Sequence, residues 1–282
     1  MSVETPAAPL EEIPGPSAFG GGRRRFVDLV WLLATTDFKV NYFGTALGYV
    51  WSLMRPLMLF GVLYLVFTSV FRFGDDIPNY AALLLVNIML YSFFAESTIR
   101  AVGSVVNSEN IVRKMQFPRL VIPLSVVLTN VFNLCLNLTA ALIFMLATGV
   151  EPRLTWLALP LLVLPLIALT CGVALLLSAL FVRFRDVGQV WGVLTLVIFY
   201  GSPFLYPVEL VPASLRFLLL INPFAPLLEA VRRLLVDPAA PSIVERAGSV
   251  FGIIGPSLVV VAVCAVGYVV FTRAAPRVAE EL

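Results

Sequence analysis

The chain reads as an all-α integral membrane protein with six transmembrane helices. An N-terminal interface helix precedes them, a short cytoplasmic helix interrupts them, and two short re-entrant outer helices lie between spans five and six. Composition carries the first step: 60% of the 282 residues are hydrophobic and 13% are charged, about half the charged share of a soluble domain. Several apolar runs reach ~20 residues, the length at which a helix crosses a bilayer. Most charges sit between those runs, as the loops of a membrane chain require.

The absent residue types exclude much chemistry. Histidine is missing, which removes imidazole metal ligands, Ser-His-Asp catalysis and histidine proton relays together. Cys135, Cys171 and Cys264 fall inside apolar runs, far apart and without metal-ligand spacing. They read as small buried hydrophobes. No catalytic residue, metal or cofactor is expected in this chain, and a net charge of +2 gives no reason to expect a nucleic-acid partner.

Residues 1–22 are rich in Pro, Gly and Ala and carry Glu4, Glu11 and Glu12. They have neither the basic nor the apolar region of a signal peptide, and a disordered cytoplasmic tail is expected. Residues 23–50 form the next unit, an amphipathic helix and the approach to span one. In "RRRFVDLVWLLATTDFKV", Phe26, Leu29, Val30, Leu33 and Val40 recur at helical spacing, with Arg25, Asp28, Thr36 and Lys39 interleaved. That pattern suits a helix lying in the membrane interface, and a helix packed on protein fits it equally.

Residues 51–282 hold the six spans. They run from Trp51 to Phe71, Tyr80 to Ile99, Leu120 to Thr148, Trp156 to Val182, Val187 to Tyr206 and Val250 to Thr272. If the N-terminus is inside, the inner segments carry 13 Lys and Arg residues and the outer segments 6. The excess of basic residues places both termini in the cytoplasm. The outer stretch "PVELVPASLRFLLLINPFAPLLEAVRRLLVDP" is too apolar for a free loop. Pro212, Pro223 and Pro226 cut it into pieces of ~10 residues, too short to cross. Two short helices that dip into the outer leaflet satisfy both facts, provided their joints are shielded.

The cytoplasmic stretch "NSENIVRKMQFPRLVIP" (107–123) breaks the apolar pattern. Asn107 or Ser108 suits a helix cap, and Glu109 and Arg113 stand at i,i+4 in the favourable order. Pro118 ends the helix and pushes Phe117 out of helical geometry. Joining two spans requires no such construction, although an interface helix that tidies a turn would account for it.

Four stretches in order now carry a resemblance. "DFKVNYFGTALGYVWSLMRPLM" (37–58), "FFAESTIRAVGSVVNSENIVRKMQFPRLVIPLS" (93–125), "LFVRFRDV" (180–187) and "GSPFLYPVELVPASLRFLLLINPFAPLLEAVRRLL" (201–235) resemble the permease subunits of ABC transporters that export polysaccharides and polyol phosphates, of the O-antigen, capsule, teichoic acid and galactan types. The resemblance covers nearly everything after the tail. It implies that the 107–118 segment is a coupling helix seated in a cleft of a separate ATPase subunit, with Glu109, Arg113, Lys114, Phe117 and Pro118 at the contact. It implies a complex of two permeases and two ATPases, in which the ATPases bind ATP and Mg. It also implies an outer gate built from the pieces around 209–220 and 224–235, with Pro212, Arg216, Pro223, Pro226 and Glu229. The sequence itself contains no G-x-x-x-x-G-K-[ST] phosphate loop, so any ATP must be bound by another chain.

Polar groups inside the spans supply the remaining candidates. Asn130, Asn133 and Asn137 share one arc of span three. Glue between helices is the preferred reading, and a strip offering hydrogen bonds to sugar hydroxyls along a translocation path is the functional one. Trp191 and Tyr200 of span five are the aromatic candidates for that path. Glu96 is expected to pair with Arg100 one turn later, and Arg183, Arg185 and Asp186, in a tight inner turn, to anchor to lipid headgroups or to the coupling segment. The favoured function is a non-enzymatic permease that exports a lipid-linked polysaccharide across a bacterial inner membrane. The alternatives are a drug or lipid permease of the same type, or a membrane glycosyltransferase using Asp75 and Asp76 of the first outer loop.

Overall fold

The computed structural model of the chain describes residues 22–43, 48–72, 77–108, 118–206, 211–212, 221–238, 240 and 251–274. The expected tail, the 109–117 stretch, Asp75, Asp76 and Arg216 lie outside the described residues. Among the described residues the structure is helical with no strand. Helix α1 spans Gly22–Phe43, α2 Gly48–Ser69, α3 Tyr80–Val102, the one-turn α4 Ser104–Asn107, and α5 Val121–Ala147. A 3₁₀ turn at Leu154–Ala158 leads into α6, Leu159–Arg183. Helices α7, Val187–Gly201, α8, Ala225–Leu235, and α9, Phe251–Ala274, follow.

Local chemistry sets the ends. Asn79 takes the left-handed region, φ 50° and ψ 39°, immediately before α3, a conformation that asparagine tolerates better than most residues. Gly149 closes α5 at φ 83°. There Val150 N–H donates to the Met145 carbonyl at 3.0 Å, the glycine-dependent stop that satisfies the last carbonyls of a helix. Pro165 in the early turns of α6 and Pro56 in α2 are tolerated because neighbouring groups in a bundle take over the freed bonds.

Among the described residues, five helices, α2, α3, α5, α9 and the 154–183 run, are long and apolar enough to cross a membrane. The expected fifth span differs. Its helix stops at Gly201 after 15 residues, a rise of about 22 Å against a hydrocarbon core of ~30 Å. Residues 202–206 continue without helical bonds, and Ser202, Phe204 and Leu205 are buried. Side chains of α3 hold this irregular backbone. Tyr80 Oη donates to the Leu205 carbonyl at 2.8 Å and Asn87 Nδ2 to the Phe204 carbonyl at 3.0 Å, while Tyr91 Oη reaches the Thr195 carbonyl inside α7 at 3.1 Å. Non-helical backbone survives at membrane depth only when protein shields it in this way.

Helix α3 is the axis of the fold. In its most apolar window 83% of residues are buried, against 6% in α2 and 11% in α9, so α3 packs on protein all round and the other two turn mostly toward lipid. Its neighbours are α2, α5, α6 and α7. The tightest approach lies elsewhere, between α6 and α9, where Gly172 and Gly267 stack backbone on backbone. Cys171 and Cys264 flank that contact, and Cys264 Sγ lies 3.1 Å from the Ala168 carbonyl. Cys135, by contrast, is exposed on α5, so it faces outward instead of filling a core.

The bonds from α3 make a direct prediction. Asn87→Leu leaves the Phe204 carbonyl buried without its donor, which costs about 1–3 kcal/mol. The purified variant should melt several degrees below the parent. An unchanged melting temperature would remove Asn87 as the clasp of the 202–206 segment.

Candidate coupling and translocation site

At the end of the bundle where α3 stops, α1, α3, α4, α5, α6 and α7 surround a cavity of ≈ 570 Å³. Gly103 stops α3, one turn of α4 follows, and Ser108 N–H donates to the Ser104 carbonyl at 3.2 Å. The chain returns at the exposed Pro118, whose carbonyl accepts from Val121 N–H at 3.0 Å. The cavity wall contains the first root of the expected coupling segment, Asn107 and Ser108, and reaches Ile122 one turn after the second. Glu109, Arg113, Lys114 and Phe117 themselves lie outside the described residues, and Pro118 is the one member of that set the structure places.

Asp37 of α1 and Arg100 of α3 face each other across the cavity. Desolvation at the cavity wall raises the Asp37 carboxyl above its ordinary value, and the Arg100 guanidinium works against that rise. No ion pair joins Arg100 to Glu96 among the described residues. Glu96 instead meets Arg55 of α2, with Nη1 3.3 Å from Oε1, so the expected Glu96–Arg100 pair is replaced by an interhelical one. The reason is geometric: α2 packs against α3 on the Glu96 side and α1 brings Asp37 to the Arg100 side. Both partners of the Arg55–Glu96 pair are well exposed, and such pairs contribute ~0–1 kcal/mol.

The turn between α6 and α7 leaves Arg183, Arg185 and Asp186 exposed. Arg185 stacks over the Phe181 ring at 5.2 Å and Arg183 over Phe184 at 5.4 Å. These cations rest on their own segment's aromatic faces.

The interface helix α1 lies against α5. Ala34 is fully buried there, and the Phe132 ring packs edge-on against Trp31 at 5.3 Å and Phe38 at 5.7 Å. Val40, expected on the apolar face, is exposed, as are Val27 and Leu32. The packed stripe runs through 30, 34 and 38, so the helix has a protein face and a second apolar face beside it. The asparagine strip meets this helix. Tyr42 Oη donates to Asn133 Oδ1 at 2.6 Å, Asn133 Nδ2 reaches Asn130 Oδ1 at 3.4 Å, and Asn130 Nδ2 donates to the Val126 carbonyl at 3.0 Å. Thr129 Oγ1 lies 3.2 Å from the Ala34 carbonyl. Asn130 and Asn133 are buried and Asn137 is half-buried. Within one subunit, then, the first two join α1 to α5.

Span five carries an aromatic chain. Tyr91 stands 4.3 Å from Phe199 and 5.3 Å from Phe204 between ring centroids, and Phe224 stands 5.2 Å from Phe204 and 5.0 Å from Phe94. Such contacts add ~0.5–1.5 kcal/mol each to burial. They join α3, α7, the 202–206 segment and the start of α8 into one body. Trp191 is half-buried and donates Nε1–H to Thr98 Oγ1 at 2.9 Å. Tyr200 is exposed, with its carbonyl accepting from Tyr206 Oη at 3.1 Å.

Of the two short outer helices, the 224–235 piece is α8. The 209–220 piece lies outside the described residues except for Val211 and the exposed Pro212. Helix α8 buries Leu227, Leu228, Val231 and Leu235 together with Glu229 and Arg232. Arg232 Nη2 lies 3.9 Å from Asp237 Oδ2. Pro223 and Pro226 are half-buried on its other side. Tyr42, Tyr80, Asn87 and Asp37 were not singled out from sequence. Asn87 carried a signal, a lone amide in the run Leu83–Leu90, whereas the partner of Tyr42 depends on a helix crossing that no local pattern encodes.

With this geometry in view, comparison with known proteins is direct. Residues 28–236 match the ABC-2 type transporter family. The chain is 30% identical over 211 residues to the O-antigen export system permease protein RfbA of Klebsiella pneumoniae, across 74% of this chain and 81% of that protein. It is 29% identical over 211 residues to the protein of the same name from Myxococcus xanthus, across 74% of this chain and 80% of that one.

Proposed function

The chain belongs to the ABC-2 type transporter family, and from that premise we propose that it is the permease subunit of an ATP-driven exporter. Its cargo is a lipid-linked polysaccharide of the O-antigen, galactan or teichoic-acid-like class, moved from the cytoplasm across the bacterial inner membrane. The observation that carries the cargo class is the 30% identity to an O-antigen export permease over 211 residues. The protein is a multi-pass transport component. ATP and Mg bind to a partner ATPase present in two copies, a second copy of the permease completes the pore, and both termini lie in the cytoplasm.

Closure of the ATPases pushes the 108–117 segment through Glu109, Arg113, Lys114 and Phe117. Both roots of that segment join long helices directly, α3 through Gly103 and α5 through Pro118. Displacement of the inner end of α3 reaches the outer side because Tyr80 and Asn87 hold the 202–206 backbone. The Phe94–Phe224 contact carries it on to α8, where Pro223, Pro226 and Glu229, with Pro212 and Arg216 before them, act as the outer gate. Tyr200, on the open face of α7, meets the sugar rings. Asn130, Asn133, Asn137 and Trp191 belong to the same path, the first two after α1 shifts away from α5.

Deleting the gene in its host should abolish the surface polymer and accumulate its lipid-linked form on the cytoplasmic side, with both restored by the wild-type chain. Normal surface polymer together with a lost drug-efflux phenotype would sink the polysaccharide assignment.

A further inference from the structure

A recess of ≈ 530 Å³ opens where α6, α8 and α9 meet. It exists because short side chains face one another there: Pro165 of α6, Pro226 and Ala230 of α8, and Pro256 of α9 leave room that longer residues would fill. Helix α8 turns Leu227, Leu228, Val231 and Leu235 inward. Pro226, Ala230 and Arg233 recur at i, i+4 and i+7, which places them together on the opposite stripe.

Depth separates the two ends of the recess. Thr155 Oγ1 donates to the Leu234 carbonyl at 3.0 Å, so the Arg233 end of α8 lies beside the 154–158 turn at the start of α6. The apolar lining runs along α9 from Ile253 to Val261, ~12 Å at 1.5 Å per residue, within the ~15 Å depth of one leaflet's hydrocarbon, half of the ~30 Å core. Arg233 at the mouth is exposed and forms no ion pair among the described residues. Its neighbour Arg232 is directed at Asp237. Glu229 lines the inner wall from the buried face of α8.

We propose that this recess binds an anionic glycerophospholipid from the leaflet at the 154–158 end. One acyl chain lies along Pro165, Pro226, Pro256 and Val261, and the phosphate rests on the Arg233 guanidinium, whose planar fork matches phosphate oxygens. A polyprenyl carrier chain would outrun a recess within one leaflet, so the inference does not depend on the cargo assignment, although Pro226 and Glu229 also belong to the proposed outer gate. Bound lipid would wedge α8 against α6 and α9 and bias the outer helix toward its packed position.

The test uses the full chain in nanodiscs containing a phosphatidylglycerol or a phosphatidylcholine probe with a diazirine on the acyl chain, followed by mapping of the crosslinks. Phosphatidylglycerol should label residues around 256–261 about fivefold more than phosphatidylcholine, the preference that ~1 kcal/mol per basic residue supplies. Arg233→Gln should reduce labelling by the anionic probe to the phosphatidylcholine level, and Arg233→Lys should keep most of the preference. Ala230→Phe should block both probes while leaving the size-exclusion profile monodisperse. Equal labelling by the two probes in the wild type, or displacement of the anionic probe by a polyprenyl phosphate at lower concentration, would overturn the assignment.

Discussion

Gly267→Leu is expected to leave little folded protein in the membrane. Even a single methyl group at this position would overlap the Gly172 carbonyl oxygen, a backbone atom that cannot rotate away. From the other side, a Cβ on Gly172 would lie 2.8 Å from Cys264 Cα. Overpacking a rigid contact costs about 1–3 kcal/mol for small additions, and separating two whole helices forfeits their mutual packing as well. Gly267→Ala should therefore lower the melting temperature clearly, and Gly267→Leu should remove the monodisperse peak in fluorescence-detected size exclusion. Gly61→Ala in α2, where an added Cβ meets nothing within 4 Å, is the control and should behave as wild type. If Gly267→Leu accumulates and melts normally, α6 and α9 do not approach through these glycines.

Reversing both charges of the coupling segment should have the largest functional effect. Arg113→Glu with Lys114→Glu is expected to lower co-purification of the ATPase by at least about tenfold. Like charges brought together across an interface cost several kcal/mol, and about 1.4 kcal/mol already gives a factor of ten. The permease should stay folded, because its long helices and the clasps between α3 and the 202–206 segment do not involve these residues. Arg183→Glu, on the neighbouring inner turn, separates a general loss of positive charge at the inner face from loss at the segment itself. It should retain most of the association. Undiminished ATPase recovery with the double reversal would end the coupling assignment of 108–117.

Helix positions were legible because hydrophobic length reports them directly. The starts of α3 at Tyr80 and α7 at Val187 fall where the sequence places them, and α5 begins one residue after the expected Leu120. The end of the fifth span carried a signal that hydrophobic length alone does not read, since Gly201-Ser202-Pro203 stops a helix and Ser202 before the proline is extended at ψ 155°. What holds the backbone beyond that stop is a set of donors on α3, more than a hundred residues away in sequence. The Glu96–Arg100 expectation failed because a partner distant in sequence intervened. Two residues one turn apart are available partners, but Arg55 from the packed α2 took Glu96 over, and Arg100 shares a cavity wall with Asp37. The asparagine strip was visible as an arc, but its partner Tyr42 lies 91 positions away, and only the crossing of α1 over α5 brings the two together.

The side chains that secure the outer part of span five are pins, and helical bonds are not. A helix releases its carbonyls turn by turn, each opening weakening the next. The carbonyls of Phe204 and Leu205 are each held by one rotatable group, so each is freed by a single torsional flip of Asn87 or Tyr80. For the stretch to move, the Phe204 ring, packed on Tyr91 and Phe224, would have to withdraw as well, so these carbonyl bonds and the aromatic contacts secure the stretch together.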